Sequence, residues 1–233
     1  MTRAVLFDFY GTLARAVAWG PTVEEAFARR GFTLEAGAWD RWAEMDLVDG
    51  VEHAEHSASP EAYEAWERSL LRARALACGV GPDDVDALVD DLHAFTKTFI
   101  LEAYPEAPAV LGELRRRGVV VAVCSNWDWH LDRALAQSGL DGLVDVAVTS
   151  ARAGARKPHP SIYHHTLQLC GGLDPADALF VGDTWEADVE GPRAAGLRPV
   201  HVLRPDDSRP TPAPAGPAAV ARVADLTPVP DLL

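Results

Sequence analysis

Five short apolar runs govern what this chain can fold into: residues 4–7, 119–123, 144–148, 178–181 and 199–202. Each is close to continuously apolar and rich in β-branched residues. None alternates apolar with polar, so each reads as a strand covered on both faces. Helical stretches separate the later runs. Residues 107–117 carry Ala109, Val110, Leu111 and Leu114, end in three arginines and stop at Gly118. A basic last turn followed by glycine is a helix C-terminal signal. Residues 130–138, 160–169 and 187–195 read likewise, the last stopping at Gly196. Strand–helix alternation of this kind predicts an α/β fold with a doubly wound parallel sheet.

Between residue 7 and residue 119 strand character is sparse. Trp19, Trp39, Trp42, Trp66, Leu70 and Leu71 fall at helical spacing, and residues 63–76 are the most helical stretch. A crossover between parallel strands needs only about a dozen residues and a helix. Residues 16–100 are therefore expected to form a mostly helical inserted domain, its tryptophans mainly in its core. Residues 1–15 and 101–233 then make the sheet-bearing core. Asp83, Asp84, Asp86, Asp90 and Asp91 read as a solvated acidic helix face. His53 and His56 read as solvated residues of the insert. Residues 204–217, rich in Pro, Asp and Ala, read as a loop, and residues 220–233 as a returning edge strand with a short turn.

Composition removes several classes of function. The chain has 233 residues, is 48% apolar and carries a formal charge of −14. It is long and apolar enough for a sizeable core. No long basic run marks a nucleic-acid or anionic-membrane surface. No apolar run approaches a membrane span. The three cysteines, Cys78, Cys124 and Cys170, lie far apart, which argues against a disulfide framework and for a reducing cytoplasm. Cys124, inside an apolar run, reads as inert. An acidic protein that binds an anion needs local positive charge, and only Lys97 and Lys157 are lysines. The partner expected is a small molecule, and the chain a monomer or homodimer.

Ligands of open parallel sheets bind at the carboxyl ends of the strands. Asp8 stands at the end of the first run, in VLFDFYGTL. Ser125 and Asn126 end the second, in VAVCSNWD. Asp183 ends the fourth, in FVGDTWEAD, with Asp188 five residues on, and Lys157 precedes a helix in RKPHPSIY. Any one of these could be an ordinary cap or turn residue. Together, at one edge of one sheet, they suggest a site. Asp8, Asp183 and Asp188 repel one another unless a cation intervenes, and hard oxygen ligands suit Mg²⁺. Lys157 adds a compact fixed charge, and Ser125 and Asn126 offer neutral donors to an oxyanion. A carboxylate nucleophile with Mg²⁺, lysine and hydroxyl suits phosphoryl transfer. Asp128 and His130, in SNWDWH, are candidates for activating water, although capping the following helix is the favoured reading.

These residues resemble the four motifs, in order, of the haloacid dehalogenase-like (HAD) hydrolase superfamily: DFYGTL, CSN, RKP and GDTWEAD. The resemblance implies a Rossmann-like core, an inserted helical cap of the family's first class and, in most members, Mg²⁺-dependent phosphatase activity. It implies Asp8 as nucleophile and Asp8, the backbone carbonyl of Tyr10 and Asp183 as metal ligands, with Asp188 binding directly or one shell out.

Tyr10 departs from the pattern. Family phosphatases usually carry a second Asp there, which protonates the leaving alkoxide and later activates water. Strand alternation would set Tyr10 on the same side as Asp8, but a phenol is a poor general base at neutral pH. The 2-haloacid dehalogenases have Tyr at that place and release halide without a proton. They also lack the acidic fourth motif and use no metal. A phosphatase, a dehalogenase and a catalytically weak binding module thus all remain readings, and the acidic cluster favours the phosphatase.

Overall fold

The computed structural model describes residues 2–45, 48–95, 97–205 and 220–233. In chain order the elements are β1 (Ala4–Phe7), β2 (Ala14–Trp19), α1 (Val23–Arg29), α2 (Pro60–Ala77), α3 (Val85–Phe95), β3 (Phe99–Ala103), α4 (Ala107–Arg116), β4 (Val120–Ser125), α5 (Leu131–Gln137), β5 (Val146–Thr149), α6 (Ser150–Ala153), α7 (Pro160–Leu169), β6 (Ala178–Gly182), α8 (Gly191–Ala194), β7 (Arg198–Val202) and β8 (Ala221–Val223). They divide into two compact units. The first holds Met1–Arg15, Asp49–Glu55 and Leu101–Leu233, the second Ala16–Val48 and His56–Ile100.

The first unit is built on a six-stranded sheet ordered β5-β4-β1-β6-β7-β8, and every neighbouring pair is parallel. All four residues of β1 are fully buried. This explains why the strand runs lack alternation: helices cover both faces of the central strands. Leu6, Ala122, Cys124, Val148 and Phe180 lie on one face and pack with Ile162, Tyr163 and Leu167 of α7. Register sets the strand ends. Phe7 pairs with Val123 and with Val181, so β1, β4 and β6 finish nearly level. β8, followed by a 3₁₀ turn at Val229–Asp231, is the expected edge strand. The expected loop at residues 204–217 falls outside the described residues from 206 on.

The second unit packs α1, α2 and α3 around Ala26, Phe27, Ala75, Val85, Leu88, Val89 and Leu92. Thr22 starts α1 with a reciprocal capping box to Glu25, and Ser59 caps α2 ahead of Pro60. Trp39 joins this core, edge-on to Phe27 and beneath the Arg74 guanidinium. The acidic face of α3 is more than solvated: Asp86 pairs with Arg72, Asp90 with Arg68 and Asp91 with Arg30.

The structure corrects four further expectations. The stretch thought to be mostly helical also holds a two-stranded sheet of β2 and β3. Trp19, on β2, is 70% exposed rather than core. Residues 16–100 are not one continuous insert either, because Asp49–Glu55 belongs with the sheet. That segment runs along the Lys157 loop: Gly50 N–H donates to Lys157 O, Arg156 N–H to Val51 O and His53 N–H to Gly154 O. His53 is accordingly buried, not solvated.

Candidate active site

Asp8 follows β1 directly. Its N–H donates to Val181 O at 2.9 Å, which extends the ladder one residue past the strand. Ser125 is the last residue of β4, and Asp183 follows the last residue of β6. Because these strands end level, the three side chains converge. Ser125 Oγ donates to Asp8 Oδ1 at 2.9 Å, and Lys157 Nζ donates to the same oxygen at 2.7 Å. Lys157 Nζ also donates to Asp188 Oδ1 at 2.6 Å. Thr12 Oγ1 donates to Asp183 Oδ1 at 3.0 Å.

One oxygen from each of Asp8, Asp183 and Asp188 can be chosen so that all lie within 4.8 Å of one another, and all three residues are buried. Among the described residues the cluster thus sets three carboxyl groups against one ammonium, that of Lys157, which pairs with Asp8 and Asp188. Burial of Lys157 opposes its charge, but facing Asp188 and Asp8 outweighs it and raises the pKa well above the usual lysine value. Lys157 is therefore a fixed cation at neutral pH.

Asp188 is placed by an unusual local fold. Trp185–Glu190 winds as a π-helical turn, a form that recurs at functional sites. The Tyr163 hydroxyl, from α7, pins that turn by donating to Ala187 O at 2.6 Å. Thr184 N–H donates to Asp188 Oδ2 at 2.9 Å, so both carboxylate oxygens of Asp188 are engaged. The turn lies so close to β6 that a Cβ at Gly182 would come within 2.4 Å of Asp188 Cβ. Only glycine fits there. His201 Nε2, from β7, lies 3.0 Å from Asp183 O. Burial lowers the His201 pKa, so the neutral ring donates to that carbonyl.

Asn126 was expected to face an oxyanion, and the structure gives it another task. Its Nδ2 donates to Asp49 Oδ1 at 2.8 Å and to Lys157 O at 3.0 Å, while its Oδ1 accepts from Lys157 N–H at 2.7 Å. The amide grips the Lys157 backbone from both sides and so aims the ammonium. Tyr10 is half-buried, and its ring stacks near Trp127, centroids 6.5 Å apart. β1 ends at Phe7 and Gly11 turns the chain at φ 91°, so strand alternation does not govern Tyr10. Asp128 Oδ1 accepts from His130 N–H at 2.8 Å just before α5, the turn role favoured from sequence. Cys124 is fully buried and its pKa is pushed to about 12, as expected of an inert thiol. Sequence reasoning passed over Thr12 and Tyr163. Thr12 stands four residues after Asp8 in the same motif, and asking what holds Asp183 would have pointed to it.

A family model described as haloacid dehalogenase-like hydrolase matches residues 2–196. The chain belongs to this hydrolase family. It is similar to the phosphoserine phosphatase of Thermus thermophilus, 34% identical over 161 residues, 65% of this chain and 63% of that protein. The match thus spans somewhat under two thirds of the Thermus enzyme. The chain is also 32% identical over 212 residues to Phosphatase MT3486 of Mycobacterium tuberculosis, 88% of this chain and 89% of that one. Among solved structures, the L-2-haloacid dehalogenase of Xanthobacter autotrophicus shares the fold, with a TM-score of 0.61 and 22% identity over 100% of this chain and 98% of that one. As a family member the chain is a hydrolase. Among the described residues no helix is long and apolar enough to cross a membrane.

Proposed function

We propose that this haloacid dehalogenase-like hydrolase is a Mg²⁺-dependent phosphatase acting on a small phosphorylated metabolite in the cytoplasm. The observation that carries this reading is the buried Asp8–Asp183–Asp188 cluster around Lys157. An all-oxygen, net-negative donor set of this kind fits a hard divalent cation. Asp8 and Asp183, with the backbone carbonyl of Tyr10, would hold the ion. Asp188, whose two oxygens already accept from Lys157 and Thr184, chiefly fixes the ammonium. When bound, Mg²⁺ would offset the charge of the phosphoryl group and of the carboxylate attacking it.

Asp8 attacks phosphorus, the P–O ester bond breaks, and the leaving group departs with that bond's electron pair. The resulting aspartyl phosphate is opened by water, which returns the Asp8 carboxylate and releases inorganic phosphate. Lys157 and Ser125, both on Asp8 Oδ1, would donate to the oxygens of a phosphoryl group transferred to Asp8. Thr12 keeps Asp183 oriented through both steps. The three cysteines are free thiols, in keeping with a reducing compartment.

One observation favours a second reading: Tyr10 stands where the resemblance leads one to expect an acidic residue, as in dehalogenases that release halide. Parallel assays separate the two. With Mg²⁺ present, p-nitrophenyl phosphate is hydrolysed, EDTA stops the reaction, and Asp8→Asn abolishes it. Chloride release from 2-chloropropionate that is equal in EDTA and in Mg²⁺, without phosphatase turnover, would replace the phosphatase with a dehalogenase. Turnover of neither substrate would leave a binding module.

A further inference from the structure

Arg204 follows β7 and sends its guanidinium back toward the turn that carries the nucleophile. The side chain is 8% exposed. Its Nη2 donates to Thr12 O at 2.7 Å, its Nε to Gly11 O at 3.3 Å, and its Nη1 lies 2.8 Å from Glu106 Oε1. The guanidinium carbon sits 3.3 Å from the centre of the Tyr104 ring. The same Glu106 oxygen accepts from Leu226 N–H at 3.4 Å, and Tyr104 N–H donates to Leu13 O at 2.9 Å. Three consecutive carbonyls after the nucleophile, those of residues 11, 12 and 13, are thereby held from outside the turn. The turn's own N–H groups are satisfied within it: Gly11 donates to Ala14 O, and Leu13 and Ala14 to Phe9 O.

We infer that Arg204 is a positioning residue for the Asp8 turn: by fixing the Gly11 and Thr12 carbonyls it sets the peptide planes from which Thr12 reaches Asp183. A guanidinium suits this task. Its planar fork can hold two carbonyls and a carboxylate while its face lies on an aromatic ring. An ammonium at the same place is a point charge and cannot keep all four contacts in one geometry. Arg204 touches neither Asp8 nor Asp183, so it acts through Thr12. Its bearing on turnover rests on the phosphatase reading, but its hold on the turn does not.

The test combines amide hydrogen exchange with kinetics on Arg204→Ala and Arg204→Lys. In the folded Arg204→Ala protein, exchange at Gly11, Leu13 and Ala14 rises roughly tenfold or more while amides of β1 and β4 keep their protection. With p-nitrophenyl phosphate, kcat falls roughly 10- to 100-fold and KM stays near the wild-type value, because misplacing reacting groups costs rate rather than uniform binding. Millimolar guanidinium restores part of the kcat of Arg204→Ala. Arg204→Lys, which keeps the charge beside Glu106, shows the same two defects to a smaller degree and serves where the alanine variant does not fold. Wild-type exchange at the three turn amides in either folded variant overturns the inference. A wild-type enzyme that hydrolyses no phosphate ester overturns the phosphatase reading instead, and the exchange result still decides the role of Arg204.

Discussion

Asp188 has no exposed surface. Burial, opposed by Lys157 and reinforced by Asp8 and Asp183, raises its pKa from the ordinary 3.8 to about 7. The sign of the pH effect follows. Between these values the folded state of the metal-free protein keeps a proton that the unfolded chain has released. The stability this group contributes is therefore fully present below 3.8 and is lost as the pH rises through about 7. On the proposed function, a divalent ion held by the neighbouring Asp8 and Asp183 would favour the ionised Asp188 carboxylate in place of the proton. In urea titrations, the added stability from Mg²⁺ should be larger at about pH 8 than at about pH 6, and Asp188→Asn should flatten the difference. A Mg²⁺ increment that does not change with pH in the wild-type protein contradicts this assignment. Asp8, Ser125 and Asp183 stood out in the sequence because each ends or directly follows an apolar run, Asp188 because it lies five residues after Asp183, and Lys157 because it precedes a helix. Asn126 was misread because its neighbour Ser125 is in the site. Its actual partners, Asp49 and the Lys157 backbone, are fixed only by tertiary structure.

Elements were legible where burial is two-sided. β1, β4, β5, β6 and β7 all announced themselves as apolar runs. β2 and β3 did not, because Val17, Trp19 and Ile100 are exposed at 44%, 70% and 54% and blur any pattern. The π-helical turn was invisible for another reason. Its residues suit an α-helix equally well, and only the hold of Tyr163 on Ala187 O and the close approach of Asp188 to Gly182 distinguish it. That approach gives a prediction at this scale. Gly182→Ala places a methyl group within 2.4 Å of the Asp188 side chain, which is held at both carboxylate oxygens. It should lower stability by about 1–3 kcal/mol in urea unfolding and weaken Mg²⁺ binding in the folded remainder. Alanine at Gly112, within α4, whose Cβ meets nothing within 4 Å, is the control: it should raise stability by about 0.5–1 kcal/mol and leave Mg²⁺ binding near wild type. Equal behaviour of the two variants would mean that the π turn has room to shift.

For the whole molecule, the seven-residue segment Asp49–Glu55 belongs to the sheet-bearing unit, against the expectation of one continuous insert. The segment pairs with residues about a hundred positions away, including an isolated bridge between Glu52 and Ala155, and nothing local in its composition reports this. Asp49 binds Arg156 at 3.0 Å as well as Asn126, so the segment also buttresses the loop that presents Lys157. Molecular charge bears on the central claim too. At a formal −14 the protein repels phosphorylated substrates at long range, so the attraction must be local, and the Lys157 ammonium is already shared by two carboxylates. On the proposed function, a divalent ion would supply what is lacking. Calorimetric titration of the metal-free protein with Mg²⁺ measures this most directly. One ion should bind per chain, and Asp183→Asn should lose that binding while remaining folded. No saturable heat at millimolar Mg²⁺, or the same affinity in Asp183→Asn, would contradict it.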